Sequence, residues 1–102
     1  MKYLNQNLED FFNNLVKVEK EHGSFQPRSI FYALMGTNME KNIDLIFDFY
    51  HYLFTHNIIR YGSDFNNIEP FTKFTKFGRS LIENKARRIA MFEEFLNIHE
   101  YS

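Results

Sequence analysis

The stretch of chain that most constrains the fold is residues 39 to 56, MEKNIDLIFDFYHYLFTH. As an α-helix, which advances about 100° per residue, it carries apolar side chains over an arc of roughly 220°. The remaining polar stripe is narrow and consists of Glu40, Lys41, Asp44, Asp48, His51 and Thr55. Helices that are apolar over most of their circumference are buried on several sides. We therefore predict that this helix is central to a domain or to a dimer.

Two helices are predicted before the central one. The first runs over residues 8 to 22, with Asn7 as N-cap and Gly23 as the residue that ends it. Its predicted apolar stripe consists of Leu8, Phe11, Phe12, Leu15, Val18 and His22. The second has the sequence PRSIFYALM and begins at Pro27, because a proline lacks the N–H that a first helical turn leaves unused. Only the turn at residues 36 to 38 separates it from the central helix, as in a helix-turn-helix.

After the central helix the pattern predicts a short strand at residues 58 to 61 and then a turn. The next segment, IEPFTKFTKF, has two interpretations. It forms either the second strand of a hairpin, followed by Thr75 as the N-cap of a final helix from Lys76, or a helix that already begins at Pro70. In both cases one final helix continues through Leu96.

Charge and composition narrow the class of protein. The net charge is −1, but residues 60 to 88 carry seven cations against three acids, whereas residues 1 to 59 carry five against seven. The basic block is either a binding surface for an anionic partner or a solvated surface whose acids lie elsewhere. With no cysteine there is neither a disulfide framework nor thiolate chemistry. Neither a signal peptide nor an apolar run of membrane-spanning length is evident, so we expect a cytoplasmic protein that does not enter a membrane.

Two segments resemble parts of winged helix-turn-helix regulators of the MarR and PadR kind. In those families a helix ends in glycine or asparagine, an apolar pair and an arginine begin the wing, and a Leu-Thr-x-x-Gly-Arg-x-Leu motif begins the next helix. Here NIIRYG, from Asn57, and FTKFGRSLIE, from Phe74, are similar to these two parts. The resemblance covers about residues 27 to 88. It implies a mainly α fold with a small β-hairpin, in a single domain of residues 1 to 102 with additional N- and C-terminal helices.

The resemblance also implies a function and a set of DNA-binding residues. The chain would be a transcriptional regulator that binds double-stranded DNA as a homodimer, with its first and last helices forming the dimer. The start of the central helix would approach the major groove, and the wing would hold phosphates. The residues expected to contact DNA are Arg28, Ser29, Asn38, Lys41, Asn42, Arg60, Lys73, Lys76 and Arg79.

An enzyme or a metal protein is not expected. Asp44, Asp48 and His51 lie on one stripe of the central helix and could present one face to a metal ion. Helical bundles that bind metals in this way need a second such motif, which the sequence lacks. It also lacks a glycine-rich phosphate loop and a nucleophile motif. We expect no catalytic residue, metal or cofactor.

A second interpretation is a small all-α module that binds another protein, for example an immunity or accessory protein, and does not bind nucleic acid. In this case residues 70 to 99 form one long helix. The wide apolar arc of the central helix favours this interpretation, because a helix buried on most sides cannot also lie in a DNA groove.

Overall fold

The computed structural model describes residues 2–24, 43–62 and 71–98. Four helices and two strands lie in these ranges: α1 (Lys2–His22), α2 (Ile43–Thr55), β1 (Ile59–Gly62), β2 (Phe71–Phe74), α3 (Lys76–Glu83) and α4 (Lys85–Ile98). The prediction of a mainly α fold with a small β-hairpin is confirmed. The predicted second helix at residues 27 to 35 and the turn after it lie outside the described residues.

Helix α1 is longer than predicted. It begins at Lys2, so Asn7 is a buried residue within the helix and not its N-cap. The physical reason is that KYLNQN contains neither glycine nor proline, so nothing interrupts the helical hydrogen bonds before Asn7. The predicted apolar stripe is correct at its centre, where the fully buried side chains are Leu8, Phe11, Phe12 and Leu15. The stripe stops short of His22, whose side chain is exposed.

Helix α2 lies at the centre of the core, as its sequence predicts. Its buried residues are Leu45, Ile46, Phe49, Tyr52 and Leu53. The ring of Phe49 makes edge-to-face contacts with Phe11 of α1 at 6.1 Å and with Phe92 and Phe95 of α4 at 5.8 and 5.1 Å, measured between ring centroids. Aromatic pairs in this geometry stabilise a core beyond their buried area. One phenylalanine of α2 thus joins the first and last helices.

The chain leaves α2 through a left-handed residue. Asn57 has a φ of 60°, the Ile58 N–H donates to the Leu53 carbonyl at 2.9 Å, and the Asn57 N–H donates to the Phe54 carbonyl at 3.1 Å. These two bonds form a Schellman motif, which satisfies the last carbonyls of a helix. Asparagine adopts this conformation more readily than other non-glycine residues. The motif therefore fixes the direction in which β1 begins.

The β1–β2 hairpin decides between the two interpretations of residues 70 to 77. The strands are antiparallel, with Ile59 opposite Phe74 and Arg60 opposite Lys73. Thr75 is the N-cap of α3, as predicted for the hairpin, and its hydroxyl accepts from the Gly78 N–H at 2.9 Å. The prediction of a helix from Pro70 is wrong, because the threonine hydroxyl and the cross-strand bonds stabilise a strand followed by a cap. The all-α alternative is wrong for the same reason.

The predicted single final helix is two helices. Asn84 adopts an extended conformation (φ −122°, ψ 100°) and is the C-cap of α3. Its Oδ1 accepts from the Arg87 N–H at 3.1 Å, so the same residue caps the start of α4. The asparagine side chain thus satisfies one of the backbone N–H groups that the break leaves without a helical partner. Among the described residues, no helix has the length and apolarity needed to cross a membrane.

Candidate nucleic-acid interface

Four of the predicted DNA-binding residues lie together beside the hairpin. Arg60 of β1, Lys73 of β2, and Lys76 and Arg79 of α3 line one open groove with a volume of about 680 Å³. All four side chains are exposed. Among the described residues that line this groove, none is acidic. We call it the basic groove.

The spacing of these cations follows from local structure. Side chains alternate between the two faces of a strand, so Lys73 lies on the face opposite the buried Thr72 and Phe74. Arg60 is the direct cross-strand neighbour of Lys73 and therefore shares its face. Lys76 is the first residue of α3, and three positions later Arg79 lies one helical turn further. A hairpin followed at once by a helix thus brings together residues 19 positions apart.

The electrostatics of the basic groove favour an anion. Arg60 and Lys73 are directly opposite each other on the hairpin, so two positive charges lie close together at one side of the groove. The groove also includes Thr75, so it reaches the N-terminus of α3, where the helix dipole is positive. A phosphate group bound there would lie close to these cations and to the positive end of the helix dipole.

Sequence reasoning missed Glu19 of α1, which does not line the basic groove but contacts two residues that do, Phe74 and Arg79. Its carboxylate is buried, with the residue 8% exposed; Oε2 accepts from the backbone N–H of Phe74 at 2.7 Å, and Oε1 lies 2.9 Å from Nη1 of Arg79. Glu19 therefore holds the outer edge of β2 against α1 and neutralises part of the charge of Arg79. In the sequence it is one of several glutamates on a helix, and no local pattern distinguishes it.

We predict that Glu19→Gln strengthens the binding of anions to the basic groove. Glutamine retains an oxygen that accepts from the Phe74 N–H, but it lacks the negative charge beside Arg79. The gain should be about fivefold, which corresponds to the roughly 1 kcal/mol that a unit charge about 4 Å away contributes when water screens it. Fluorescence anisotropy with a labelled duplex measures it. The control is Glu21→Gln, at an exposed residue of the same helix. Unchanged or weaker binding by Glu19→Gln would show that its charge does not act on the groove.

The other predicted DNA contacts cannot be placed relative to this groove. Arg28, Ser29, Asn38, Lys41 and Asn42 lie outside the described residues. The described part of α2 exposes Asp44 and Asp48, whose charges oppose a phosphate backbone. In the described ranges, no group of three or more histidine, cysteine, aspartate or glutamate side chains could hold a metal ion.

A second groove, of about 340 Å³, lies where α2, α3 and α4 meet. Its lining is mainly apolar and includes Tyr52, Leu81, Met91 and Phe77, the last of which is 50% exposed. Burial, together with the charge of Glu94 and the hydrogen bond that the phenol donates to it, raises the pKa of Tyr52 to about 12. The phenol is therefore protonated at neutral pH. The described residues that line this groove offer an apolar surface with one cation, Arg87.

The first and last helices, predicted to form a dimer, contact each other within one chain. The rings of Phe12 and Phe92 meet edge to face at 6.0 Å, and Arg88 of α4 binds the carboxylate of Glu9 of α1. Part of the surface predicted for the dimer is therefore internal, and the dimer stays a prediction. No protein-family model, curated protein or solved structure matches this chain.

Proposed function

We propose that this protein is a DNA-binding transcriptional regulator of the winged-helix type that acts as a homodimer. In this proposal the β1–β2 hairpin is the wing, and the basic groove binds the phosphate backbone of duplex DNA. The observation that carries the proposal is the convergence of four exposed cations, from two strands and the following helix, on one groove. Lysine and arginine contacts to phosphates supply most of the sequence-independent affinity of such proteins.

The distribution of charge supports a specific orientation on DNA. The hairpin and the start of α3 offer cations, whereas the described part of α2 offers Asp44 and Asp48. DNA would therefore approach over the hairpin. Any contacts to base edges would come from residues 38 to 42, before the described part of α2, because the N-terminal part of a recognition helix usually contacts the bases.

We predict that changing both Lys73 and Lys76 to alanine weakens duplex binding and flattens its salt dependence. Each lost phosphate contact should reduce the slope of log affinity against log salt by about 0.9. Anisotropy titrations of a labelled duplex at several salt concentrations measure both effects. A matched control is Lys85→Ala with Arg87→Ala, which removes the same charge from exposed positions of α4 that do not line the basic groove.

Three outcomes each contradict a part of the proposal. If the parent protein does not bind a duplex even at low salt, it is not a DNA-binding regulator. If the two double variants lose affinity equally, the basic groove has no special role and the effect reflects net charge. If light scattering gives a monomeric mass for the protein both free and bound to DNA, the homodimer part of the proposal is wrong.

A second candidate function, the binding of another protein, is favoured by the outer face of α2. Ile43 and Phe47 lie one turn apart on this helix and are 40% and 42% exposed. Exposed apolar side chains that adjoin one another are typical of interaction surfaces. Replacing both by serine would abolish a protein contact made through this face, whereas phosphate contacts in the basic groove should persist.

A further inference from the structure

Exposed apolar side chains of α3 and α4 border the groove that lies between α2, α3 and α4. Phe77 of α3 lines this groove and is 50% exposed. Ile98 is 55% exposed and lies two turns after Met91, which also lines the groove, so Ile98 extends the same face of α4. The small side chain of Ala90 belongs to the lining as well. We call the surface formed by Phe77, Arg87, Ala90, Met91, Glu94 and Ile98 the α4 surface.

Two opposite charges lie on the α4 surface, one on each side of its centre. Arg87 and Glu94 are exposed, line the groove and are seven residues apart, which is two turns or about 10 Å along the axis of α4. Ala90 lies about midway between them. The Glu94 carboxylate accepts a hydrogen bond from the Tyr52 phenol, and its two oxygens have lone pairs for further bonds. Among the described residues, no carboxylate forms an ion pair with the Arg87 guanidinium.

The α4 surface is complementary to itself. A symmetric pair of copies has a two-fold axis, across which residue i of each copy contacts residue j of the other. If two α4 helices lie antiparallel with this axis near Ala90, Arg87 of each copy lies beside Glu94 of the other, so one ion pair forms on each side of the axis. The apolar side chains of the two copies then contact each other and leave water, which favours association. A second copy of the chain therefore matches both the charges and the apolar part of this surface.

We propose that two copies of the chain associate through their α4 surfaces, with Arg87 of each copy paired with Glu94 of the other. The inference rests on the proposed function, because it identifies the surface through which the homodimer forms. It differs from the dimer expected from the sequence, since α1 is not part of the interface. The basic groove shares no lining residue with the groove beside α4. DNA and the second copy therefore do not compete for the same side chains.

The test reverses the two charges and measures the mass of the full chain by light scattering over a range of concentrations. Arg87→Glu and Glu94→Arg each place two like-charge pairs in the dimer where the parent protein has two ion pairs. Either change should weaken self-association by roughly 10- to 100-fold. Both changes in one chain restore opposite charges in each pair and should restore the dimer. The controls are Lys85→Glu and Glu93→Arg, at exposed positions of α4 that do not line the groove.

A mixture of the two single variants gives a second test, which does not depend on the doubly changed chain. The Arg87→Glu chain carries two acids at these positions, and the Glu94→Arg chain carries two cations. Neither should pair with itself, but the two should pair with each other. The mixture should therefore have a dimeric mass at a concentration at which each variant alone is a monomer. Recovery of a dimer on mixing would also show that both variants are folded.

Arg87 also belongs to the control variant of the duplex titrations, Lys85→Ala with Arg87→Ala. Alanine removes an attraction without adding a repulsion, so this variant should still form the dimer at higher concentration. The duplex titrations are therefore made at protein concentrations at which both double variants have a dimeric mass. A weaker dimer is then not mistaken for a weaker phosphate contact.

The failures of the two proposals are distinguishable. If the parent protein is a dimer and reversal of Arg87 or Glu94 has no more effect than the controls, the α4 surface is not the interface, while the regulator is unaffected. If the parent protein is a monomer both free and bound to DNA, the inference is wrong and the α4 surface fits a different protein. Duplex binding that depends on Lys73 and Lys76 would still support a DNA-binding protein. A dimer that follows the reversed charges but does not bind a duplex overturns the regulator and keeps the interface.

Discussion

Replacing Gly78 by alanine should lower the free energy of unfolding by about 3 kcal/mol, the upper part of the range for overpacked sites. A Cβ at this position would lie 2.1 Å from the carbonyl oxygen of Ile58 and 3.2 Å from Cδ1 of Phe74. The Ile58 carbonyl cannot easily move, because it accepts from the Thr75 N–H at 2.9 Å and from the Thr75 hydroxyl at 3.1 Å. The close approach of α3 to β1 therefore depends on the missing side chain.

Whether Gly78→Ala lowers or raises the free energy of unfolding distinguishes overpacking from helix propensity. Within an α-helix, alanine is normally more stable than glycine by about 1 kcal/mol, so helix propensity alone predicts that Gly78→Ala stabilises the protein. Urea denaturation followed by circular dichroism measures the change. Gly23→Ala is the matched control. A Cβ there meets nothing within 4 Å, but φ is +79°. The strain of a left-handed alanine should therefore lower the free energy of unfolding by only about 1 to 2 kcal/mol. If Gly78→Ala is more stable than the parent protein, then α3 and β1 can move apart without lowering the free energy of unfolding.

The hairpin and the basic groove could be predicted from the sequence because short-range rules determine them. Alternation along FTKF places Lys73 outward and Phe74 inward, and Thr75 before a helical pattern is a cap signal that operates over three residues. Once the hairpin is chosen over a helix from Pro70, the four cations must converge. The choice itself was open, since proline suits both a first helical turn and the residue before a strand.

The parts that could not be predicted depend on contacts between residues far apart in sequence. Glu19 looks like any glutamate on α1, and its role becomes evident only when β2 lies beside it. The break at Asn84 is similar. Asparagine within a helical pattern is unfavourable but tolerated, and the break is stabilised by Arg88, whose guanidinium binds carbonyls of the preceding helix and a carboxylate 79 residues away in sequence.

Arg88→Ala should also lower the free energy of unfolding by about 3 kcal/mol, near the lower limit for breaking a buried ion pair. Nε and Nη2 of Arg88 donate to Oε2 and Oε1 of Glu9 at 2.8 and 2.7 Å, and Nη1 donates to the carbonyls of Leu81 and Ile82 at 3.2 and 2.9 Å. One guanidinium thus joins α1, the end of α3 and α4. Arg88→Lys keeps the charge but cannot donate two parallel hydrogen bonds to the Glu9 carboxylate. It should therefore lower the free energy of unfolding by a large part of the same amount.

The contribution of the Glu9–Arg88 ion pair to the free energy of unfolding should disappear at low pH. The hydrogen bonds from Arg88 hold the pKa of the Glu9 carboxyl below its ordinary value of 4.5. A lowered folded-state pKa gives stability that is fully present above the unfolded-state value and is lost as pH falls through the folded-state value. Arg88 stays protonated throughout, since the hydrogen bond from its guanidinium to Glu9 raises its own pKa.

Urea denaturation from neutral pH to about pH 3, where most carboxyl groups become protonated, tests this directly. The difference in unfolding free energy between the parent protein and Glu9→Gln should be largest at neutral pH and should shrink below pH 4.5, because protonation removes from the parent the charge that the substitution removes. Glu93→Gln, at an exposed position of α4, controls for the change in net charge. If the difference between the parent and Glu9→Gln does not vary with pH, then Arg88 joins the three helices through its carbonyl contacts and packing, and the ion pair contributes nothing.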